Sequence, residues 1–212
     1  MTTTASVLLV LAVIAALVDW VAVARENKAL EYVCKPLTTA ALVGVAATLD
    51  PSSADQRIAF VIALVFSLGG DVALMLPKDR FVVGLGSFLL AHLAYIVGFA
   101  IVGGSTTRAV IGVVVVAVLA VPLARRYLRA LSSSDRRELV VPVVLYMSAI
   151  AAMFVSAITV GQVLAIAGAY AFYVSDALIA ETRFVGPRSW GPLTIIVTYH
   201  VAQVMLVLSL VA

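Results

Sequence analysis

The sequence predicts an all-α, polytopic membrane protein with about eight transmembrane helices, and three observations carry that prediction. Of the 212 residues, 64% are hydrophobic and only 12% charged, with a mean hydropathy of +1.16. A soluble domain holds roughly 45–50% apolar and about 25% charged residues. The apolar residues gather into eight runs long enough to cross, or nearly cross, a ~30 Å hydrocarbon core at ~1.5 Å per helical residue. Strict apolar–polar alternation is absent, which sets aside the closed barrel, the other structure that satisfies its backbone in lipid. Residues 1–212 therefore read as a single transmembrane domain.

The first run, 5–24, ends in Ala22-Val23-Ala24, which resembles a signal cleavage site. Met1-Thr2-Thr3-Thr4 lacks the basic segment a signal needs, and Arg25 and Lys28 follow the run instead, so it is expected to remain as the first span. The second run, 34–49, is short and opens on Lys35-Pro36. The third, 58–77, holds Asp71, and the fourth, 81–102, holds His92 and Tyr95. The fifth, 109–124, contains the β-branched stretch Val113–Val118, but in a bilayer length and hydrophobicity outweigh strand propensity. The sixth is 139–160. The seventh, 162–181, carries Tyr170, Tyr173, Ser175 and Asp176, and the eighth, 192–212, carries Tyr199, His200 and Gln203. Trp20 and Trp190 fit an interfacial aromatic belt.

Basic residues orient these spans. Twelve of the fourteen Lys and Arg residues fall in or beside the connections after spans one, three, five and seven; Arg57 and Arg108 alone lie on the other side. The positive-inside rule then places both termini outside and the arginine-rich connections in the cytoplasm of a multi-pass cell-membrane protein. The net charge of +3 resides in these connections rather than on one basic face, so nucleic acid is not an expected partner. Cys34 is the only cysteine, which excludes an internal disulfide and any multi-cysteine metal site.

The halves 1–106 and 107–212 match when offset by about 106 residues. Lys35-Pro36 falls on Val141-Pro142, the segment around Asp71 on the segment around Asp176, and His92-Leu93-Ala94-Tyr95 on His200-Val201-Ala202-Gln203. Four spans per half is an even number, so the predicted tandem repeat is parallel rather than inverted.

Asp71 and Asp176 are the strongest functional candidates. Both lie ~7–9 Å below the cytoplasmic interface, and an intramembrane carboxylate costs ~2.5–3.5 kcal/mol at a helix centre and less near the interface, so it faces a bundle interior or a wet cavity. Two carboxylates in a partly dry cavity are expected to titrate unequally, an acid beside an ionised base. That pair suits acid-catalysed addition of water, with neither role assignable to either residue. Lys35, at the inner mouth of span two, would meet a lipid phosphate or snorkel to the interface. His92 and Tyr95 share a helix face, as do His200 and Gln203, and as do Tyr173 and Asp176. Gly69-Gly70 would let a neighbouring helix or a substrate approach the backbone. Two further readings stay open: a metal-dependent hydrolase built on Asp71, Asp176, His92 and His200, and a proton-coupled transporter of a small amphipathic substrate.

Lys35-Pro36, Phe66-Ser67-x-x-Gly70-Asp71-x-x-Leu74, His92-x-x-Tyr95, Tyr173-x-Ser175-Asp176-x-Leu178 and Tyr199-x-x-Ala202-Gln203, taken in order, resemble the YhhN-type lysoplasmalogenase family over nearly the whole chain. The resemblance implies about eight spans and hydrolysis of the vinyl ether bond of a lysophospholipid, releasing a fatty aldehyde and a glycerophospho-base. It implies Asp71 and Asp176 as catalytic groups, with Lys35, His92, Tyr95, Tyr173, Ser175, Tyr199 and Gln203 binding substrate or supporting them; no cofactor or metal is needed. The lysolipid's head would sit near Lys35, Lys78, Arg80 or Arg183, with its tail between helices among membrane lipids.

Overall fold

The computed structural model describes residues 1–76, 80–134 and 136–212, and these form eight long helices and no strand. They are α1 (Thr3–Ala24), α2 (Lys28–Thr48), α3 (Ala54–Met75), α4 (Phe81–Val102), α5 (Thr106–Ser132), α6 (Val140–Val160), α7 (Val163–Ala180) and α8 (Gly191–Leu208). All eight are long and apolar enough to cross a membrane. Two bounds differ most from the sequence expectation, the start of α2 and the end of α5. Asn27 accepts the Leu30 N–H as an N-cap, so α2 starts at Lys28 and Lys35 lies well inside the helix. The α5 helix continues to Ser132 because Arg125–Arg129 extends it past the apolar run without a breaker.

Short connections fold consecutive helices back on one another. Helices α1 to α4 pack in chain order, as do α5 to α8, and the two sets meet where α4 lies on α6 and where α8 lies on α1 and α2. Ser53 and Ser105 cap α3 and α5. Arg57 and Arg108, the two cations on the sparsely charged side, cap helix C-termini: Arg57 donates to Leu49 O, and Arg108 to Thr159 O and Val160 O. They satisfy terminal carbonyls there, which is why they sit against the general charge bias.

Aromatic side chains fill the centre. Phe60 meets Tyr95 and Phe99 edge-on, while Phe88, Phe172 and Tyr199 form a mutual edge-to-face triangle with centroids 5.5–6.2 Å apart. Gly70 makes room for this triangle, since a Cβ there would lie 2.6 Å from the Phe88 ring. The glycine pair thus admits a neighbouring helix. At the α7–α8 seam, a Cβ on Gly168 would meet the Leu206 nitrogen at 3.0 Å and the Ala202 carbonyl at 3.1 Å, both immobile backbone atoms. Gly168→Leu is therefore expected to destabilise the protein by about 1–3 kcal/mol by overpacking. Gly86→Leu, where nothing lies within 4 Å, is its control. Denaturation in detergent followed by circular dichroism would show the difference.

Candidate active site

Two polar centres are buried in the bundle. Asp71, on α3, is fully enclosed and is held by three side chains from two neighbouring helices. Thr39 of α2 donates to its Oδ2 at 2.7 Å, Tyr199 of α8 donates to the same oxygen at 2.7 Å, and the Lys35 ammonium lies 3.5 Å from Oδ1. A relay stands behind it: Tyr95 donates to Gln203 Oε1 at 2.6 Å, and Gln203 Nε2 donates to the Tyr199 hydroxyl at 3.3 Å. Lys35 is thus turned inward onto Asp71 rather than outward to a lipid phosphate, because an enclosed carboxylate without a cation would be far costlier than a buried lysine stem.

Asp19 of α1 and His200 of α8 adjoin this centre. Asp19 is fully buried, both its oxygens lack a hydrogen-bond partner among the described residues, and its Oδ2 lies 4.0 Å from His200 Nε2. Lys35 and Asp71 are within electrostatic reach of Asp19. The Trp20 indole donates to His200 Nδ1 at 3.1 Å, which places the imidazole proton on Nε2, facing Asp19. Trp20 is therefore a hydrogen-bonding partner inside the bundle and not merely a belt residue. Sequence reasoning missed Asp19 entirely.

Asp176, on α7, is the second centre. Tyr146 of α6 donates to its Oδ2 at 2.6 Å, and His92 Nε2 of α4 lies 3.6 Å from that oxygen. His92 Nδ1 is hydrogen-bonded to the Phe88 carbonyl one turn back, so Nδ1 carries the proton and Nε2 presents a lone pair to Asp176. No hydrogen bond among the described residues reaches Oδ1. Tyr173, one turn before Asp176, has a buried hydroxyl without a partner among the described residues. Ser175 points elsewhere: it donates to the Ile195 carbonyl and ties α7 to α8.

The centres differ in access. A cavity with about 720 Å³ of empty space, including the part that runs out to the surface, is walled almost wholly by apolar and aromatic groups. Asp176, Tyr146, Tyr173, Tyr127, Phe88 and Phe184 are among its lining residues, and Asp71 is not. Among the described residues no hydrogen bond or ion pair joins the two carboxylates. The contacts linking them run from Tyr199 through Phe172 to His92. Toward the arginine-rich end the Arg183 guanidinium stacks 3.9 Å from the centroid of Phe81, another lining residue. Lys78, expected near a head group, lies outside the described residues. His92 and His200 serve different aspartates, and no group of three or more His, Cys, Asp and Glu among the described residues is arranged to hold a metal ion. The four residues named for a metal site are thus not gathered.

Fold and centres together define a polytopic helical membrane protein with an apolar cavity ending on a carboxyl group. The chain belongs to the YhhN family, whose profile matches residues 30–210. It is similar to lysoplasmalogenase TMEM86B of Homo sapiens, 33% identical over 147 residues, a match covering 69% of this chain and 61% of that protein. It is also similar to the lysoplasmalogenases of Mycobacterium bovis and Mycobacterium tuberculosis, each 31% identical over 150 residues that cover 69% of this chain and 57% of theirs. The chain thus spans about three-fifths of the length of these curated relatives. No solved structure matches it significantly.

Proposed function

We propose that this protein hydrolyses the vinyl ether bond of a lysoplasmalogen-like lysophospholipid and that Asp176 carries the proton transfers. The observation that carries the reading is a carboxyl group at the wall of an almost wholly apolar and aromatic cavity. The names of the relatives and the family motifs support the same substrate class.

A vinyl ether resists base and yields to acid at carbon. The carboxylic acid of Asp176 gives its proton to the alkenyl carbon distal to the ether oxygen, leaving an oxocarbenium ion and a carboxylate. The π faces of Tyr146, Tyr173 and Phe88 and the new carboxylate stabilise the cation. Water then adds to the cationic carbon as Asp176 takes one of its protons, which restores the acid. The resulting hemiacetal breaks its carbon–oxygen bond to give a fatty aldehyde and the free hydroxyl of the glycerophospho-base. The sum consumes one water. Tyr146 holds Asp176 Oδ2, so Oδ1 is directed to the substrate, and His92 Nε2 offers a neighbouring acceptor for the proton. Asp71, behind the aromatic triangle, holds Tyr199 and α2, α3 and α8 in register, a positioning role.

With both termini outside, as the charge bias predicts, the cavity opens toward the cytoplasmic leaflet and Arg183 lies within reach of a head-group phosphate. The decisive measurement is aldehyde release by the purified protein from a lysoplasmalogen, against an ester-linked lysophospholipid. Release from the vinyl ether only, unchanged by o-phenanthroline or EDTA, is the expected result. Cleavage of the ester instead, or loss of activity with chelator and its return with zinc, would overturn the mechanism.

A further inference from the structure

The cavity at Asp176 has a second side. A crevice between α5 and α7, lined by Leu119, Leu123 and Tyr127 on one helix and Tyr170, Tyr173 and Leu178 on the other, shares Leu123, Tyr127, Tyr173 and Ala177 with it. One layer of side chains therefore separates the crevice from the catalytic space. Helix α5 packs along α6 and touches the turn after α7 (Glu181–Val185), but it does not pack along α7 itself. It is also the most peripheral helix: of its 27 residues only Gly112, Val116, Tyr127 and Leu131 are buried. Apolar side chains such as Val114, Val118 and Val121 face outward, so in a bilayer α5 stands against acyl chains.

Two sets of contacts among the described residues hold this seam shut. The Tyr127 hydroxyl, on a side chain only 2% exposed, donates to the Ala177 carbonyl across the gap at 2.9 Å. Nearer the arginine-rich end Arg126 grips Glu181 with two hydrogen bonds, at 2.9 and 2.7 Å, and Arg188 adds a third at 3.1 Å. Both guanidiniums are about half exposed and keep donors unspent at the mouth of the crevice. Pro122 lies between Leu119 and Leu123 and removes a backbone hydrogen bond from α5 at the level of the crevice, which marks where the helix bends with least resistance.

We propose that α5 and α7 form a lateral portal by which a single-chain phospholipid passes from the bilayer to Asp176, with Tyr127 as its latch and Arg126 and Arg188 receiving the phosphate. The proposal rests on the lysolipid reading above and adds the route. A membrane-dissolved chain cannot reach the partly buried Asp176 carboxyl from the water side without first being extracted from lipid. The crevice removes that step.

The test uses the full chain in nanodiscs with a lysophosphatidylcholine bearing a diazirine in its alkyl chain. Photolabelling is expected at the crevice and at Tyr146, Met147 and Ile150 inside the cavity, competed by lysophosphatidylcholine and not by diacylphosphatidylcholine. In a Cys34→Ser background, a bulky methanethiosulfonate adduct on Leu119→Cys is expected to abolish the labelling of Tyr146, Met147 and Ile150. Dithiothreitol should restore it, which a misfolded variant would not allow. The same adduct on Val97→Cys, on the outward face of α4, should change nothing. Even labelling of all outward helix faces, equal competition by the diacyl lipid, or cavity labelling that survives the Leu119 adduct would overturn the portal. Portal failure with aldehyde release intact leaves the hydrolase reading standing. Labelling as expected without aldehyde release overturns the hydrolase reading and not the portal.

Discussion

Asp176→Asn is expected to lower the turnover of a lysoplasmalogen by roughly 10²–10⁴-fold, the range for loss of a general acid–base group. The amide is nearly the same size and still accepts the Tyr146 hydroxyl through its oxygen, so the folded protein and its cavity survive. What disappears is the transferable proton. A vinyl ether needs a proton delivered to carbon before water attacks, and among the described residues that line the cavity Asp176 is the one carboxyl group. Aldehyde release by the Asp176→Asn variant, at unchanged melting behaviour, would measure the effect, and activity within a few-fold of the parent would remove Asp176 from the mechanism. Asp71→Asn separates the two carboxylates. With Asp71 as a positioning group, its variant loses activity together with thermal stability and regains part of it on cooling. If instead Asp71→Asn leaves melting unchanged and stops turnover as completely, both aspartates do chemistry and the substrate must reach behind the aromatic triangle.

Much of this arrangement was legible in the sequence because lipid leaves few choices. Eight apolar runs of spanning length give eight helices, since a chain in hydrocarbon must pair its own backbone. Asp71 and Asp176 stood out for the same reason: a carboxylate inside such a run is costly and has a purpose. Asp19 did not, because it sits beside Trp20 and shortly before Arg25, where a charge looks interfacial. Only the packing of α1 on α2 and α8 encloses it. Thr39 and Tyr146 were equally invisible as ligands, since hydroxyl residues are ordinary in membrane helices until a carboxylate is known to face them. The direction of Lys35 depended on a helix start that its Asn27 cap set further upstream. Partner choice was beyond any local pattern. His92 and Tyr95 share a face of α4, yet His92 serves Asp176 and Tyr95 serves Gln203. Each carboxylate is held by the helix before it and by the fourth helix of the opposite half: Thr39 and Tyr199 for Asp71, Tyr146 and His92 for Asp176. Thr39 and Tyr146, and likewise His92 and Tyr199, are related by nearly the offset that relates the aspartates. This is the correspondence expected of a tandem repeat, and we propose that the two halves arose so.

Lys35→Met is expected to be the most destabilising single change in the bundle, by about 3–5 kcal/mol, the cost of leaving one partner of a buried ion pair uncompensated. Among the described residues Asp71 Oδ1 has no hydrogen-bond donor, so the lysine ammonium at 3.5 Å is its principal compensation. Oδ2 keeps Thr39 and Tyr199, which is too little for a full charge away from water. The double variant Lys35→Met/Asp71→Asn removes the charge along with its partner while retaining an acceptor for both hydroxyls. It should recover most of the loss, giving a coupling energy well outside the scatter of independent sites. Unfolding midpoints of the parent, the two single variants and the double variant, all in one detergent, close the cycle. Additive losses would mean that Lys35 acts elsewhere, and the remaining acceptors for its ammonium would have to be sought around Asp19. Recovery in the double variant would instead separate two tasks by position. The charge pair on α2 and α3 then holds the bundle together, and the carboxyl on α7 is left to do the chemistry.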